Sequence, residues 1–338
     1  LRTIPQEGAP GHMEDRFGRK IEYLRISVTD RCNLRCIYCM PGEGVEWVPH
    51  DTILSFEEIV RLVRVLAPLG IRRIRLTGGE PLVRLGLCDL VAALREIDGI
   101  DQINLTTNGV LFAPMAEQLQ RAGLHGVNFS LDTLRADVFR RITRTDRFAE
   151  VREGIDRALA LGFSPVKINC VPVAGINDGE VADLAALARD YPLEVRFIEM
   201  MPIGCGKQFT PVTIQQVYDR LEQAYGTPAP FSGALGNGPA AYFAYPAFQG
   251  HVGFISAVSH TFCSQCNRVR LTAEGYLKLC LHYSSGIDLR RPLRSGASDA
   301  ELTELIRSAI LQKPEHHAFS GAAGIAAEDA HNMNAIGG

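Results

Sequence analysis

Between Tyr23 and Glu199 short β-branched runs alternate with amphipathic helical stretches, and few folds are open to a chain patterned this way. Repeated β/α units pack helices against a largely parallel sheet. The pattern predicts strands over 23–28, 72–76, 102–106, 126–130, 166–171 and 194–199, with helices over 54–69, 113–122, 148–161 and 178–191. Ser55 followed by Glu58 is a capping box ahead of the apolar stripe Ile59, Leu62, Val63 and Leu66, and Asn177-Asp178 is read as a second helix opening. Six units are fewer than a closed eight-fold barrel requires, so the fold class is α/β: an incomplete (β/α)6 barrel of TIM type, with a doubly wound sheet as the alternative. Either way, ligands gather at the C-terminal ends of the strands.

After Met201 the pattern changes to a helix over 213–224, an uncharged stretch, and a final helix over 299–311. From Gln223 to Asn267 there is no Asp, Glu, Lys or Arg, but ten Gly and Pro residues break the run and exclude a membrane-spanning helix. The stretch is expected to be irregular or strand-rich. The domain reading is therefore an added or disordered start over 1–12, a partial barrel over 13–225, and a smaller C-terminal region over 226–338 that closes the barrel's open side. With 35 basic and 38 acidic side chains the net charge is −3, so no overall positive field draws the chain to nucleic acid or an anionic membrane. No secretion signal is read at the start, and a cytoplasmic chain is the expectation. Nine cysteines, an odd number there, favour metal or redox chemistry over disulfides, and six of the nine fall in two tight clusters.

Directly after the first strand, Cys32, Cys36 and Cys39 put three thiols on one loop. Three cysteines on a four-iron cube leave one iron open to a small molecule. A zinc site completed by a distant ligand is the alternative. At the end of the second strand, Thr77-Gly78-Gly79-Glu80-Pro81 lets backbone approach a ligand closely, unless it is a plain turn.

The Cys-x3-Cys-x2-Cys run with Tyr38 before its last thiol resembles the signature of the radical S-adenosylmethionine superfamily. The resemblance implies that the open iron chelates the amino and carboxylate groups of S-adenosylmethionine, whose cleavage gives a hydrogen-abstracting 5′-deoxyadenosyl radical. It also implies that Gly79 lies at the methionyl ammonium and that Tyr38, Ser130 and Met201 border S-adenosylmethionine.

Cys263, Cys266 and Cys280 form a second trio. It is read either as a second open cluster facing substrate or as a zinc site completed by His282 or His260. Within the same loop, the period of two in Asn267-Arg268-Val269-Arg270-Leu271 puts both guanidinium groups on one face. Guanidinium forks bind oxyanions bidentately, and Arg25, Arg75, Lys167 and Arg196, on four other strands, extend the set toward a polyphosphate. Gly204-Cys-Gly206-Lys207-Gln208 lacks the Ser or Thr of a phosphate-binding P-loop and is set aside as a decoy. The terminal Gly337-Gly338 is read as a slim tail able to thread into a narrow active site.

The run from Phe17-Gly-Arg to Cys32, both trios, Asn267–Arg270 and the Gly-Gly end together resemble the GTP 3′,8-cyclase family of molybdenum cofactor biosynthesis, over residue 13 to the end. The resemblance implies a lyase with two 4Fe-4S clusters and S-adenosylmethionine. It would take hydrogen from ribose C3′ of GTP, join C3′ to guanine C8, and give 3′,8-cyclo-7,8-dihydroguanosine triphosphate. Cluster one would rest on Cys32, Cys36 and Cys39, and the substrate-binding cluster two on Cys263, Cys266 and Cys280. Arg25, Arg75, Thr106, Lys167, Arg268, Val269 and Arg270 would contact GTP, while Arg196, Arg268, Arg270, Gly337 and Gly338 would serve the reacting substrate. Implied partners are a reducing protein such as flavodoxin or ferredoxin and the next enzyme of the pathway, with the chain a monomer or homodimer. Segments 200–209 and 231–248 match no pattern. Two rivals are a peptide-modifying enzyme of the same superfamily and a zinc-dependent nucleic-acid-binding module.

Overall fold

A computed structural model of the protein describes residues 12–317 apart from 234, 237 and 261. All six expected strands are present: β1 Tyr23–Ser27, β2 Arg73–Thr77, β3 Gln102–Thr107, β4 Gly126–Ser130, β5 Val166–Cys170 and β6 Glu194–Ile198. They pair in parallel in chain order. Between them lie α1 Phe56–Leu66, α2 Leu87–Arg95, α3 Phe112–Arg121, α4 Ala136–Thr143, α5 Phe148–Ala160 and α6 Val181–Asp190. The period of two along each strand sorts the sheet into two chemically different faces. Leu24, Ile26, Ile74, Leu76, Val127, Phe129, Val195 and Phe197 point toward the helices and are fully buried in one apolar core. The opposite face carries Tyr23, Arg25, Arg75, Thr106, Asn128, Lys167 and Arg196 and forms the polar interior of the open barrel.

Helix α1 begins as expected, with Ser55 accepting the Glu58 N–H at 3.2 Å and Glu58 returning a carboxylate to the Ser55 N–H at 2.7 Å. Asn177 does not cap a helix. Its amide oxygen instead accepts the Val173 N–H at 2.7 Å and its amide nitrogen donates to Asp132 O at 2.8 Å. A short 3-10 turn, Asp178–Glu180, therefore precedes α6, which starts three residues later than the expected 178.

The remainder follows as α7 Ile214–Tyr225, β7 Ala229–Phe231, β8 Ala241–Ala244, β9 His251–Ile255, β10 Arg268–Leu271, β11 Tyr276–Lys278, β12 Gly286–Asp288, α8 Arg290–Arg294 and α9 Asp299–Ile310. The uncharged stretch is strand-bearing, holding β7 to β9. The C-terminal strands join the barrel sheet at both edges: β10 runs parallel to β1 and β9 parallel to β6, with the remaining four strands outside them. Arg270 is thereby in register with Arg25, and Arg25 with Arg75. Among the described residues no helix is long and apolar enough to cross a membrane.

Candidate active site

A cavity of about 300 Å³ opens at the C-terminal ends of the strands and is lined by the first thiol trio at one end and by Arg25, Arg75, Arg196, Arg268 and Arg270 at the other. Tyr38, Gly79, Thr106, Ser130 and Met201 also line it. Most side chains that the sequence singled out thus meet in one space. The pattern-free segments reach it too, through Ile203, Gly206, Gly238 and Pro239.

The first trio sits where burial opposes thiolate formation. Burial and the carboxylate of Glu80 push the Cys32 thiol up to about 11, although the Leu34 N–H and Asn108 amide oppose that rise. Burial and the neighbouring thiols raise Cys36 and Cys39 as well. Three half-buried soft donors on one loop, each disfavoured as a lone thiolate, suit a cationic iron centre that compensates their charge, so the donor set fits a cluster. The loop that carries them is braced: Tyr38 donates to Asp132, whose other oxygen accepts the Val171 N–H at 2.8 Å, and Arg144 donates to Arg35 O at 2.8 Å. Burial pushes Glu80 up to about 7 against three donors, the N–H groups of Leu82 and Asn108 and the Thr107 hydroxyl.

The glycines beside Glu80 have a reason different from ligand approach alone. A Cβ on Gly79 would lie 2.4 Å from Arg31 O, and one on Gly78 would lie 2.5 Å from Thr29 O. Both are needed for the 77–80 loop to lie flat on the backbone leading into Cys32.

The second trio is gathered from the β9–β10 and β11–β12 connections. Burial raises the Cys263 thiol, whereas at Cys266 burial is outweighed by Lys313, Arg268 and Arg19, and the thiol is lowered. Arg19 donates to Cys263 O at 2.8 Å and to Pro314 O at 2.7 Å, and Lys313 donates to Arg268 O at 3.0 Å. At Cys266, Lys313 and Arg19 from opposite ends of the chain thus favour the anionic sulfur that a cluster ligand needs. Sequence reasoning missed Arg19 and Lys313, because contacts across some 295 positions leave no local signal. Of the two histidines weighed as zinc ligands, His260 is exposed and contacts Ser259, while His282 is buried against Tyr283.

The other end of the cavity is a cage of guanidinium groups. Burial and its guanidinium neighbours hold Arg25 well below its ordinary value and bring Arg270 down to about 10. The Arg268 Nε is buried with no hydrogen-bond partner among the described residues. Both carboxylates at the cavity wall are engaged by backbone donors, Glu80 as above and Glu199 by the N–H groups of Val258 and Ser259, each at 2.8 Å. Arg75 reaches Thr106 at 3.3 Å, and Arg196 is fixed by the Asn169 amide oxygen at 2.8 Å.

The second trio and two of the expected substrate contacts, Val269 and Lys167, are not among the residues lining the cavity. The Val269 side chain packs in the apolar core, on the sheet face opposite Arg268 and Arg270, because the period of two turns it away. Lys167 is covered, donating to Leu235 O and, at 2.9 Å, to the Tyr242 hydroxyl. Gly337 and Gly338 lie outside the described residues.

Burial, Arg196 and Arg75 bring Lys167 down to about 7. An unfolded lysine binds its proton up to about pH 10.4, so between about 7 and 10 the unfolded chain holds more protons and wild-type stability gains with rising pH. The melting-temperature difference between Lys167→Met and wild type, each without ligand, is therefore expected to be most favourable to the variant below about pH 7 and to shrink toward pH 10. A difference independent of pH would contradict this.

The model of the radical SAM superfamily matches residues 26–188, and that described as Molybdenum Cofactor Synthesis C matches residues 193–319. The GTP 3′,8-cyclase of Desulforamulus reducens is 49% identical over 96% of this chain and 100% of its own length. That of Heliobacterium modesticaldum is 51% identical over 90% of this chain and 94% of its own length. Among solved structures, Streptococcus suis SuiB bound to precursor peptide SuiA matches with a TM-score of 0.56 at 14% identity, covering 87% of this chain and 71% of that one. The last likeness concerns the fold alone.

Proposed function

The chain belongs to the GTP 3′,8-cyclase family of the radical S-adenosylmethionine superfamily, and on that premise we propose that the cavity lined by the first thiol trio and the five arginines binds GTP with its phosphates in the arginine cage. The enzyme converts GTP to (8S)-3′,8-cyclo-7,8-dihydroguanosine 5′-triphosphate, the first step of molybdenum cofactor biosynthesis, with two 4Fe-4S clusters and S-adenosylmethionine. The observation that carries this reading is the convergence of Cys32, Cys36 and Cys39 and five arginines on one cavity. When bound, the first cluster with S-adenosylmethionine supplies a radical able to take hydrogen from carbon. The chain's own residues bind, orient and seal. Cys32, Cys36 and Cys39 hold the first cluster, with Tyr38, Gly79, Ser130 and Met201 bordering S-adenosylmethionine. Cys263, Cys266 and Cys280 hold the second cluster at the guanine end. Arg25, Arg75, Arg268 and Arg270 take the phosphates, Thr106 supports Arg75, and Arg196 stands at the ribose. Lys167 joins them once the Leu235 contact gives way, and Gly337-Gly338 reach the substrate as a slim tail.

The division into a barrel over 13–225 and a second-cluster region over 226–338 assigns radical generation to the first and the second cluster to the other, with substrate contacts drawn from both. A cytoplasmic location, a flavodoxin- or ferredoxin-type donor, and transfer of product to the next enzyme complete the proposal. Oxygen-free reconstitution is expected to give about eight irons and eight sulfides per chain, the content of two 4Fe-4S cubes, with S-adenosylmethionine cleavage stimulated by GTP. About four irons with one zinc, or cleavage indifferent to GTP, would reject the cyclase reading.

A further inference from the structure

Tyr23 shares the inward face of β1 with Arg25 and is 4% exposed. Arg75 donates its Nε–H to the Tyr23 oxygen, with its guanidinium carbon 5.9 Å from the ring centroid. No acceptor for the phenol's own hydrogen is found among the described residues, and the ring borders the cavity. The charged groups that face it are all cations: Arg25 on its own strand, Arg75 on β2 and Arg268 on β10, with Arg270 on β10 and Arg196 on β6 beyond them. No carboxylate enters this set among the described residues.

We propose that Tyr23 is a positioning residue of the arginine cage: as a neutral phenol it fixes Arg75 and donates its hydrogen to a phosphate oxygen, and as a phenolate it occupies the cage as a competing anion. This rests on the reading that a nucleoside triphosphate binds there, and it adds that binding requires one particular proton. Burial alone would push the phenol up, but Arg75, Arg25 and Arg268 outweigh burial and bring it down to about 8. The neutral fraction then falls about tenfold between pH 7 and pH 9, and the apparent affinity falls with it. Phenylalanine keeps the ring and removes both the hydrogen bond and the competing charge.

The test measures dissociation constants of GTP and of inorganic tripolyphosphate for the cluster-loaded enzyme and for Tyr23→Phe, without oxygen, from about pH 7 to about pH 9. At about pH 7 Tyr23→Phe is expected to bind both probes about tenfold more weakly, the loss of one hydrogen bond to a charged group. Toward pH 9 the wild type should weaken until the two proteins converge. Ionisation of the probes affects both proteins alike, so the ratio isolates Tyr23. A fluorinated tyrosine at the same position, of equal shape and greater acidity, should move the wild-type fall to lower pH. Parallel pH profiles, or unchanged affinity of Tyr23→Phe at pH 7, would overturn the proposal. Convergence with tripolyphosphate but no binding of GTP would uphold it and defeat the GTP reading instead. Failure of the wild type to bind either probe would defeat both.

Discussion

Replacing Arg268 and Arg270 together with alanine is expected to weaken GTP binding by about a hundredfold or more while leaving iron and sulfide content unchanged. Each guanidinium contributes charge-assisted hydrogen bonds of about 1.5–3 kcal/mol, and loss of two at the lower figure is about 3 kcal/mol. Both side chains line the cavity, and the Nε of Arg268 is buried without a partner among the described residues. The cluster ligands should survive, because Lys313 and Arg19 still face Cys266 and the Lys313 contact uses the backbone oxygen of residue 268. Stability without ligand should hold or rise, since burial and Arg268 already depress Arg270 to about 10 and the variant removes that repulsion. Anaerobic titration, metal analysis and thermal melting give three separate readings. Unchanged affinity would remove the cage from substrate binding. A loss of iron equal to one cluster would make the pair structural supports of the second trio.

The arginine rows were legible in the sequence because a parallel strand writes its two faces as a period of two. From sequence that period is applied only to Arg268 and Arg270, but Leu24 and Ile26 alternate in the same way with Tyr23 and Arg25, and Val127 and Phe129 with Asn128 and Ser130. The same period explains why Val269 faces the core between two cavity arginines. Local pattern does not encode which distant strand completes a sheet. That β10 lies beside β1 and β9 beside β6 follows from closing the edges of the six-strand unit, not from any signal in the two segments. Asn177 shows the other limit. As a capping residue it competes for several backbone partners, and here Val173, Val171 and Asp132 win over the helix end. The clamp of Arg19 and the cover of Leu235 over Lys167 likewise depend on loops brought together only by the fold.

Gly79→Ala should be strongly damaging to the loop that leads into Cys32. The 77–80 loop continues the β1–β2 pairing through Val28 N–H to Thr77 O at 2.8 Å, Gly79 N–H to Thr29 O at 2.8 Å and Glu80 N–H to Arg31 O at 2.7 Å. A Cβ at position 79 would meet three backbone atoms, Arg31 O at 2.4 Å, Arg31 C at 2.6 Å and Asp30 O at 2.6 Å. Backbone on both sides cannot swing away as a flexible side chain can, so the ladder must part, at a cost of about 3 kcal/mol. The displaced strand leads directly into Cys32, and Glu80, which ties the loop to Thr107 and Asn108, moves with it. The expected result is a lower denaturation midpoint together with loss of about half the iron, the first cluster's share of two equal cubes. Gly162→Ala is the control: its φ of +73° carries strain but no atom lies within 4 Å, so it should cost about 1 kcal/mol and keep its full iron. Full iron retention by Gly79→Ala would mean that the loop and the thiols are not mechanically coupled. Iron loss from both variants alike would trace the effect to general destabilisation, whereas loss from Gly79→Ala alone locates the coupling in the three backbone hydrogen bonds that seat Cys32.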